Sequence, residues 1–402
     1  MKNNFRNIIH KYRLIITILL FCLPIQFALF NSSGIRFGGD TGRYIYGANQ
    51  IISGHLIPGG MANAYLGYDY YVALIYFLHL GNIGVITGQV LFSIVCAYCL
   101  YRLTFLVGKS KFAATFATIF YIFATDIHNW NFFVLSDSLF TSMTVISLYL
   151  VARTKNVKQL FCIVPIVFWT STIRPMGFVL LISVLIYGIY KLRKYNKYRL
   201  YVNALVALLV LSLPIWLLAI DKMVVHMTVV DTFLKGKIIW GDDKLVITIP
   251  ASIHMNAQTN QNSLPGIIFF IMNNFTYVAK LAIIKLYYFI LHTKPFYLTQ
   301  RNHWIIYTYY PIYLLGYIWF NKSKFSANSA LLCLYLVGQT MIVMMTFEDW
   351  DGRFLDDIIP VFYVFAGMGL TYIINLYTPI KQLEKKVFDQ TFQSNSPSSK
   401  PS

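Results

Sequence analysis

The sequence predicts an all-α polytopic membrane protein of about ten transmembrane helices, with further helices lying along the external membrane surface. Three observations predict it. Hydrophobic residues make up 57% and charged residues only 12% of the 402 residues, far from the balance of a soluble chain. Apolar runs of about 17–25 residues recur, each long enough to cross a hydrocarbon core as a helix. Short Lys/Arg clusters separate those runs, so the formal net charge of +18 reads as positive-inside anchoring and not as a nucleic-acid surface.

The spans fall at 12–30, 85–107, 112–125, 132–151, 158–173, 176–191, 200–220, 304–320, 326–347 and 355–376. Lys2, Arg6, Lys11 and Arg13 place the N-terminus inside. The later clusters are Lys109/Lys111, Arg153/Lys155/Lys158, Lys191 to Arg199, Lys322/Lys324 and Lys381/Lys385/Lys386. All of them fall on the inner side if the loops 31–84 and 221–303 are both external. Two apolar stretches remain. Residues 68–80 are too short to span comfortably. Residues 266–291 are long enough, but a crossing there inverts every later cluster, and Lys280 and Lys285 interrupt the run. Both stretches read as external interfacial helices, with a crossing at 266–291 left open as the alternative.

Residues 1–376 therefore form one membrane domain, and 377–402 form a cytoplasmic tail, rich in Ser, Pro and Gln and expected to be disordered from about residue 388. The N-terminal run is too long, and lacks a clear small-residue cleavage site, for a removed signal peptide. The polar stretch 221–265, with Gly241-Asp242-Asp243-Lys244 and an amide- and hydroxyl-rich run near 256–263, reads as a lid or mobile loop. Cys22, Cys96, Cys99, Cys162 and Cys333 all lie in apolar segments and read as small packing residues, with no disulfide expected. Asn31-Ser32-Ser33 and Asn274-Phe275-Thr276 match the glycosylation sequon, which is common by chance.

Nearly all the acids map to the external side in this topology, which makes that side the place for a polar site, although a solvated outer surface explains any single one of them. Asp40, in Gly38-Gly39-Asp40-Thr41-Gly42-Arg43-Tyr44, puts a carboxylate at the mouth of the bundle. Tyr44, Ile45, Ala48, Ile51 and Ile52 follow at helical spacing, with Gly54 as the stop. Asp40 fits the N-cap of that helix, a structural role compatible with catalysis. Then come Gly59-Gly60 and the aromatic run Tyr65 to Tyr71, which contains Asp69 and suits headgroup depth.

This order of features resembles the GT-C superfamily of integral-membrane glycosyltransferases, and most closely its protein-mannosyltransferase and aminoarabinose-transferase group. The resemblance rests on Asp40 followed by Tyr44, Ala48 and Gly54, on Phe133 to Phe140 with Asp137, on Thr172-Ile173-Arg174-Pro175, and on Gly352-Arg353-Phe354-Leu355 with Pro360. It covers most of 12–190 and a patch near 350–370, and order and topology carry it more than any one motif. Many relatives carry two adjacent acids in the first loop. Here Gly39-Asp40-Thr41 supplies one, which leaves open whether a divalent cation serves as cofactor.

The resemblance implies transfer of a sugar from a polyprenyl-phosphate donor to an acceptor hydroxyl on the external face of a bacterial plasma membrane, with inversion. A base must take the acceptor proton, and Asp40 is the candidate. A cation must stabilise the departing phosphate, and Arg174, Arg353, Lys280 and Lys285 are the candidates. Each has a structural alternative: Arg174 as a span anchor, Arg353 paired with the acids around it, and the lysines snorkelling to headgroups. Asp126, Asp137, Tyr44 and Asp69 are candidates for sugar or acceptor contacts, with Asp137 also a candidate helix cap. His55, His79 and His128 lack the spacing of a zinc site. No large soluble acceptor domain is evident, so a lipid or glycan acceptor is expected. The competing readings are a lipid-linked oligosaccharide flippase, disfavoured by the lack of repeats and of mid-span charges, and a polysaccharide polymerase.

Overall fold

A computed structural model describes residues 2–55, 64–194, 196–225, 228–241, 244–255, 260–322 and 325–377. The Gly59-Gly60 turn, Asp242 and Asp243, residues 256–259 of the polar run, the Lys381/Lys385/Lys386 cluster and residues 378–402 of the tail lie outside the described residues. The fold is all-α apart from one short ladder. In chain order the helices are α1 Lys2–Ser33, α2 Thr41–Ile52, α3 Leu66–Phe77, α4 Gly81–Gly108, α5 Lys111–Ile122 and α6 Thr125–Asn129. There follow α7 Ser136–Arg153, α8 Val157–Ile173, α9 Phe178–Arg193, α10 Asn196–Leu211, α11 Leu213–Val225 and α12 Val229–Leu234. The last are α13 Leu264–Asn273, α14 Phe275–Leu291, α15 Thr299–Lys322, α16 Ala327–Met345, α17 Arg353–Asp356 and α18 Ile359–Tyr377. The strands β1 Ile239–Trp240 and β2 Glu348–Asp349 pair in parallel.

Among the described residues, five helices are long and apolar enough to cross a membrane: Arg13–Ser33, Gly81–Gly108, Pro175–Arg193, Ala327–Met345 and Ile359–Leu376. The number rises to seven if each of two bent pairs is one span. Helix lies at all ten segments read as spans, but several are shorter or more polar than these five. The reason is clearest in α7, where every residue except Leu150 and Arg153 is buried. A helix enclosed by other helices needs no lipid-facing apolar surface, so it can carry hydroxyls that bond inward. Ser147 bonds Thr170 on α8 at 2.9 Å, and Thr141 donates to Asp357 at 2.9 Å. By contrast α1 exposes Leu20, Phe21, Leu23 and Phe27, the composition of a surface meeting acyl chains.

The bundle centres on α4, α5, α7, α15 and α18. Close approach of α18 to its neighbours depends on two glycines: a Cβ at Gly369 falls 1.8 Å from the Leu315 carbonyl oxygen of α15, and one at Gly367 falls 2.4 Å from that of Ala113 on α5. α2 and α3 are two short helices packed against each other between α1 and α4, and Gly54 ends the first of them at φ +72°. The stretch read as one interfacial helix at 266–291 is two helices, α13 and α14, bent by 101° at Asn274, whose amide holds the turn through bonds to the His254 and Phe270 carbonyls at 2.8 and 2.9 Å. Together with α12 and β1 they enclose a small core of their own, including Val230, Phe233, Ile239, Phe270 and Leu281. Part of the region read as a polar lid is therefore a packed unit. The two-residue ladder joins it to the segment preceding α17.

Candidate functional site

The backbone leading to α2 is held by hydrogen bonds that leave the Asp40 side chain out. Arg36 N–H donates to the Phe132 carbonyl at 2.7 Å, and Val134 N–H donates to that of Arg36 at 3.1 Å. Thr41 Oγ1 accepts from Gly38 N–H at 2.9 Å and donates to the Val134 carbonyl at 3.1 Å. Asp40 occupies the N-cap position, yet its side chain makes no capping hydrogen bond. Its carboxylate instead lines a cavity of about 710 Å³.

The same cavity brings together Asp126 from α6, Arg353 and Asp356 from α17, and Asp349 and Asp351 from the segment before it. Arg36, His292 and Arg301 complete its charged and titratable lining, so five carboxylates face three guanidiniums. Those guanidiniums are not equivalent. Arg353 is held by Asp349 at 2.5 Å, with Asp137 at 3.8 Å and Asp351 at 4.0 Å. Among the described residues, Arg301 and Arg36 have no carboxylate within ion-pair distance. Arg301 donates to the Asp351 carbonyl at 3.2 Å and lies over the Tyr297 ring at 4.1 Å. Arg36 lies over Phe133 at 5.3 Å and bonds Ser33. Arg301 and Arg36 are therefore the cavity cations best placed to meet an anion from outside.

Burial raises the Asp126 carboxyl above its ordinary range, against the opposing pull of Arg301, and Tyr309 donates to it at 3.4 Å. Burial and the like charge of Asp126 push Asp356 well up, although Trp130 Nε1–H donates to it at 2.8 Å. Asp356 therefore favours the protonated form, in which a carboxyl donates a hydrogen bond to a hydroxyl or phosphate oxygen. Burial, then the charges of Lys294 and Arg301, hold His292 well below the ordinary range, so it lines the cavity as neutral imidazole.

Asp351 is pushed up to about 6, first by burial and then by the charge of Asp349. A raised carboxyl contributes stability that is complete below its ordinary value of 3.8 and lost as pH rises through about 6. Asp351→Asn is expected to remove that dependence. The unfolding free energy of the wild type should fall relative to the variant between those two pH values, by an amount on the order of 1–3 kcal/mol, with a corresponding drop in its melting temperature. Parallel melting curves in detergent across that range check it.

The remaining predicted residues lie elsewhere. Asp137 and Arg174 form a buried ion pair behind the cavity, with Asp357 3.5 Å from Arg174. The Asp137 side chain pairs with arginine and does not cap its helix. Tyr44 is buried, with its hydroxyl 3.0 Å from that of Ser136. Asp69 sits between α2 and α3, where burial raises it to about 7 and a Cβ at Gly47 falls 2.7 Å from its Oδ2. Lys285 lies 4.0 Å over the Phe233 ring and donates to the Thr346 carbonyl at 2.5 Å. Lys280 is exposed and lines a separate pocket of about 390 Å³ at the α13–α14 bend. Neither lysine lines the cavity that holds Asp40.

The sequence reading did not single out Arg301, Arg36, His292, Trp240 or Trp350. Arg301 stands just before a predicted span and has the look of an interface anchor. Its role depends on a fold that brings the start of α15 beside α6. Lys294, also unremarked, is buried beneath the site, where it bonds the Asp349 and Trp350 carbonyls and lies beside the buried Glu348.

A second cavity of about 310 Å³ lies between α5 and α15, lined by apolar and aromatic side chains including Ile119, Phe123, Trp304, Tyr307 and Tyr363. Ile119, Phe123, Trp304 and Tyr307 are exposed along it. Asp126 lines both cavities, so the apolar groove and the polar cavity meet at that residue. Among the described residues, no three His, Cys, Asp or Glu side chains are gathered so as to hold a metal ion. No protein-family model matches the chain, and no curated protein matches it.

Proposed function

We propose that this chain is an integral-membrane glycosyltransferase of the GT-C type, which moves a sugar from a polyprenyl-phosphate donor to an acceptor hydroxyl with inversion. One observation carries the proposal: a polar, carboxylate-rich cavity and an apolar groove between two helices meet at Asp126. An amphiphile with a long apolar chain and a polar head needs that combination, with the chain in the groove and the phosphate and sugar in the cavity. The alternation of charge clusters supports ten spans, both termini cytoplasmic and the site on the external face of a plasma membrane.

In this reading Asp40 accepts the acceptor hydroxyl proton as that oxygen bonds the anomeric carbon. The bond from that carbon to the phosphate oxygen breaks on the opposite face, and the lipid phosphate leaves with the electron pair. Arg301, aided by Arg36, stabilises the charge on the departing phosphate. Asp356, held toward its protonated form by burial, donates a hydrogen bond to the phosphate or the sugar, and Asp126 contacts a sugar hydroxyl. Arg353, neutralised by its carboxylates, shapes the cavity wall.

Ala124 lines the groove beside Asp126. Ala124→Trp places an indole where the first isoprene units would lie, and is expected to raise the donor KM by about 10-fold or more while leaving the fold intact. A polyprenyl-phosphate sugar with a photoreactive group in its first isoprene unit is expected to label α5 or α15. Labelling confined to other helices, together with an unchanged KM in the variant, contradicts the placement.

A further inference from the structure

Three large aromatic side chains line the polar cavity yet remain more than half exposed: Phe37 at 58%, Trp240 at 52% and Trp350 at 53%. Exposed aromatics near a membrane ordinarily serve as interfacial anchors. These three border a carboxylate-rich cavity, and the fold holds the two indoles in place. β1 pairs with β2 in parallel, with Trp240 opposite Asp349. Trp240 stacks on Phe347, with centroids 5.0 Å apart and planes 24° apart, and Lys237 lies 5.7 Å from its ring.

Trp350 is the more telling residue. Its carbonyl is held by Tyr297 Oη at 2.7 Å and by Lys294 Nζ at 3.2 Å, so its backbone is fixed from beneath. Gly241, at φ +85°, passes beside its indole, and a Cβ at that glycine would come 2.9 Å from Trp350 Cδ1. Among the described residues no aromatic or cationic group packs on the Trp350 ring. The chain thus spends a left-handed glycine and two side-chain hydrogen bonds to seat an indole that is half uncovered at a polar rim.

We propose that Trp350, with Trp240 and Phe37, forms the acceptor subsite, and that the acceptor it takes is a pyranose ring of a glycan. A pyranose presents C–H groups on its faces and hydroxyls on its edges. The faces suit the negative face of an aromatic ring, and the edges suit neighbouring carboxyl groups such as Asp351 and Asp40. A lipid alcohol offers no such edge, and a protein acceptor needs a broader groove. The assignment rests on the glycosyltransferase reading and specifies its acceptor class.

The test is binding of free saccharides to the full-length protein in nanodiscs, without donor. Tetrasaccharides of glucose, mannose, galactose and N-acetylglucosamine are titrated and followed by saturation-transfer NMR. The wild type is expected to bind at least one of them. Trp350→Ala is expected to weaken that binding about 10-fold, Trp350→Phe less, and Gly241→Ala to weaken it by displacing the indole. Melting curves show whether each variant folds, and Trp350→Phe serves if Trp350→Ala does not. The proposal is overturned if the wild type binds none of the four, or if folded Trp350 variants bind as the wild type does. Transfer to a lipid alcohol with no saccharide binding refutes the acceptor class and leaves the transferase reading standing. Saccharide binding that depends on Trp350, with no transfer from any donor, supports the subsite and refutes the transferase reading.

Discussion

Asp40→Asn is expected to reduce sugar transfer by about 10²–10⁴-fold while donor binding stays within a factor of a few. The expectation follows from what the side chain does not do. Asp40 stands at the N-terminus of α2, where a carboxylate ordinarily caps the helix, but it makes no capping hydrogen bond. Thr41 and the strand-like contact between Arg36 and residues 132–134 hold the backbone there. The amide of Asn keeps the size and shape of the side chain and one acceptor oxygen, but exchanges the other for an NH2 donor and loses the charge and the ability to accept a proton. A helix-capping role predicts the opposite pattern: Asn caps as well as Asp, so turnover would be untouched. Comparing kcat with donor KM separates the two.

Arg174→Met is expected to cost about 3–5 kcal/mol of stability. Arg174 is 3% exposed and lies between α8 and α9, where it pairs with Asp137 from α7 and faces Asp357 at the start of α18. Removing the guanidinium leaves two buried carboxylates with only Arg353, 3.8 Å from Asp137 and already held by Asp349, as a counter-charge. Thr141, which donates to Asp357 at 2.9 Å, is too weak a partner to replace it. Asp137→Asn in the same background relieves part of the repulsion, so the double variant is expected to melt above Arg174→Met. Thermal unfolding in detergent reads both. A single variant that melts with the wild type shows that the pair does not hold these segments together.

The two results divide the predicted residues into those that face the cavity and those that hold its walls. Asp40, Asp126 and Arg353 were legible as polar residues at the ends of apolar segments, and the structure gathers them around one cavity. Asp137 and Arg174 were equally visible, but local sequence does not say whether an Arg and an Asp 37 positions apart will meet each other or a ligand. Lys280 and Lys285 fell within an apolar run and read alike. Both lie on α14, beyond the bend at Asn274, and five positions apart they fall on different faces of that helix, leaving Lys280 exposed and Lys285 tucked against Phe233.

Helical elements were legible because each run of apolar residues carries its own signal. The small unit around α12–α14 was not, because its core joins isolated residues such as Val230, Ile239 and Leu281 across polar sequence. The β1–β2 pairing rests on contacts between distant segments of only two residues each. α7 shows the same limit from the other side. Its segment reads as a span from its apolar residues, but only its enclosure by other helices explains why it carries so many Ser and Thr residues.

The most direct measurement of the central claim is transfer from a panel of radiolabelled polyprenyl-phosphate sugars by the purified wild-type protein in lipid, with Arg301→Gln beside it, each with and without EDTA. The account predicts transfer from at least one donor by the wild type, and a loss of about 100-fold or more in kcat/KM in the variant, whose phosphate contact is gone. The EDTA arm shows whether a divalent cation takes part. No transfer from any donor, or a variant as active as the wild type, contradicts the account.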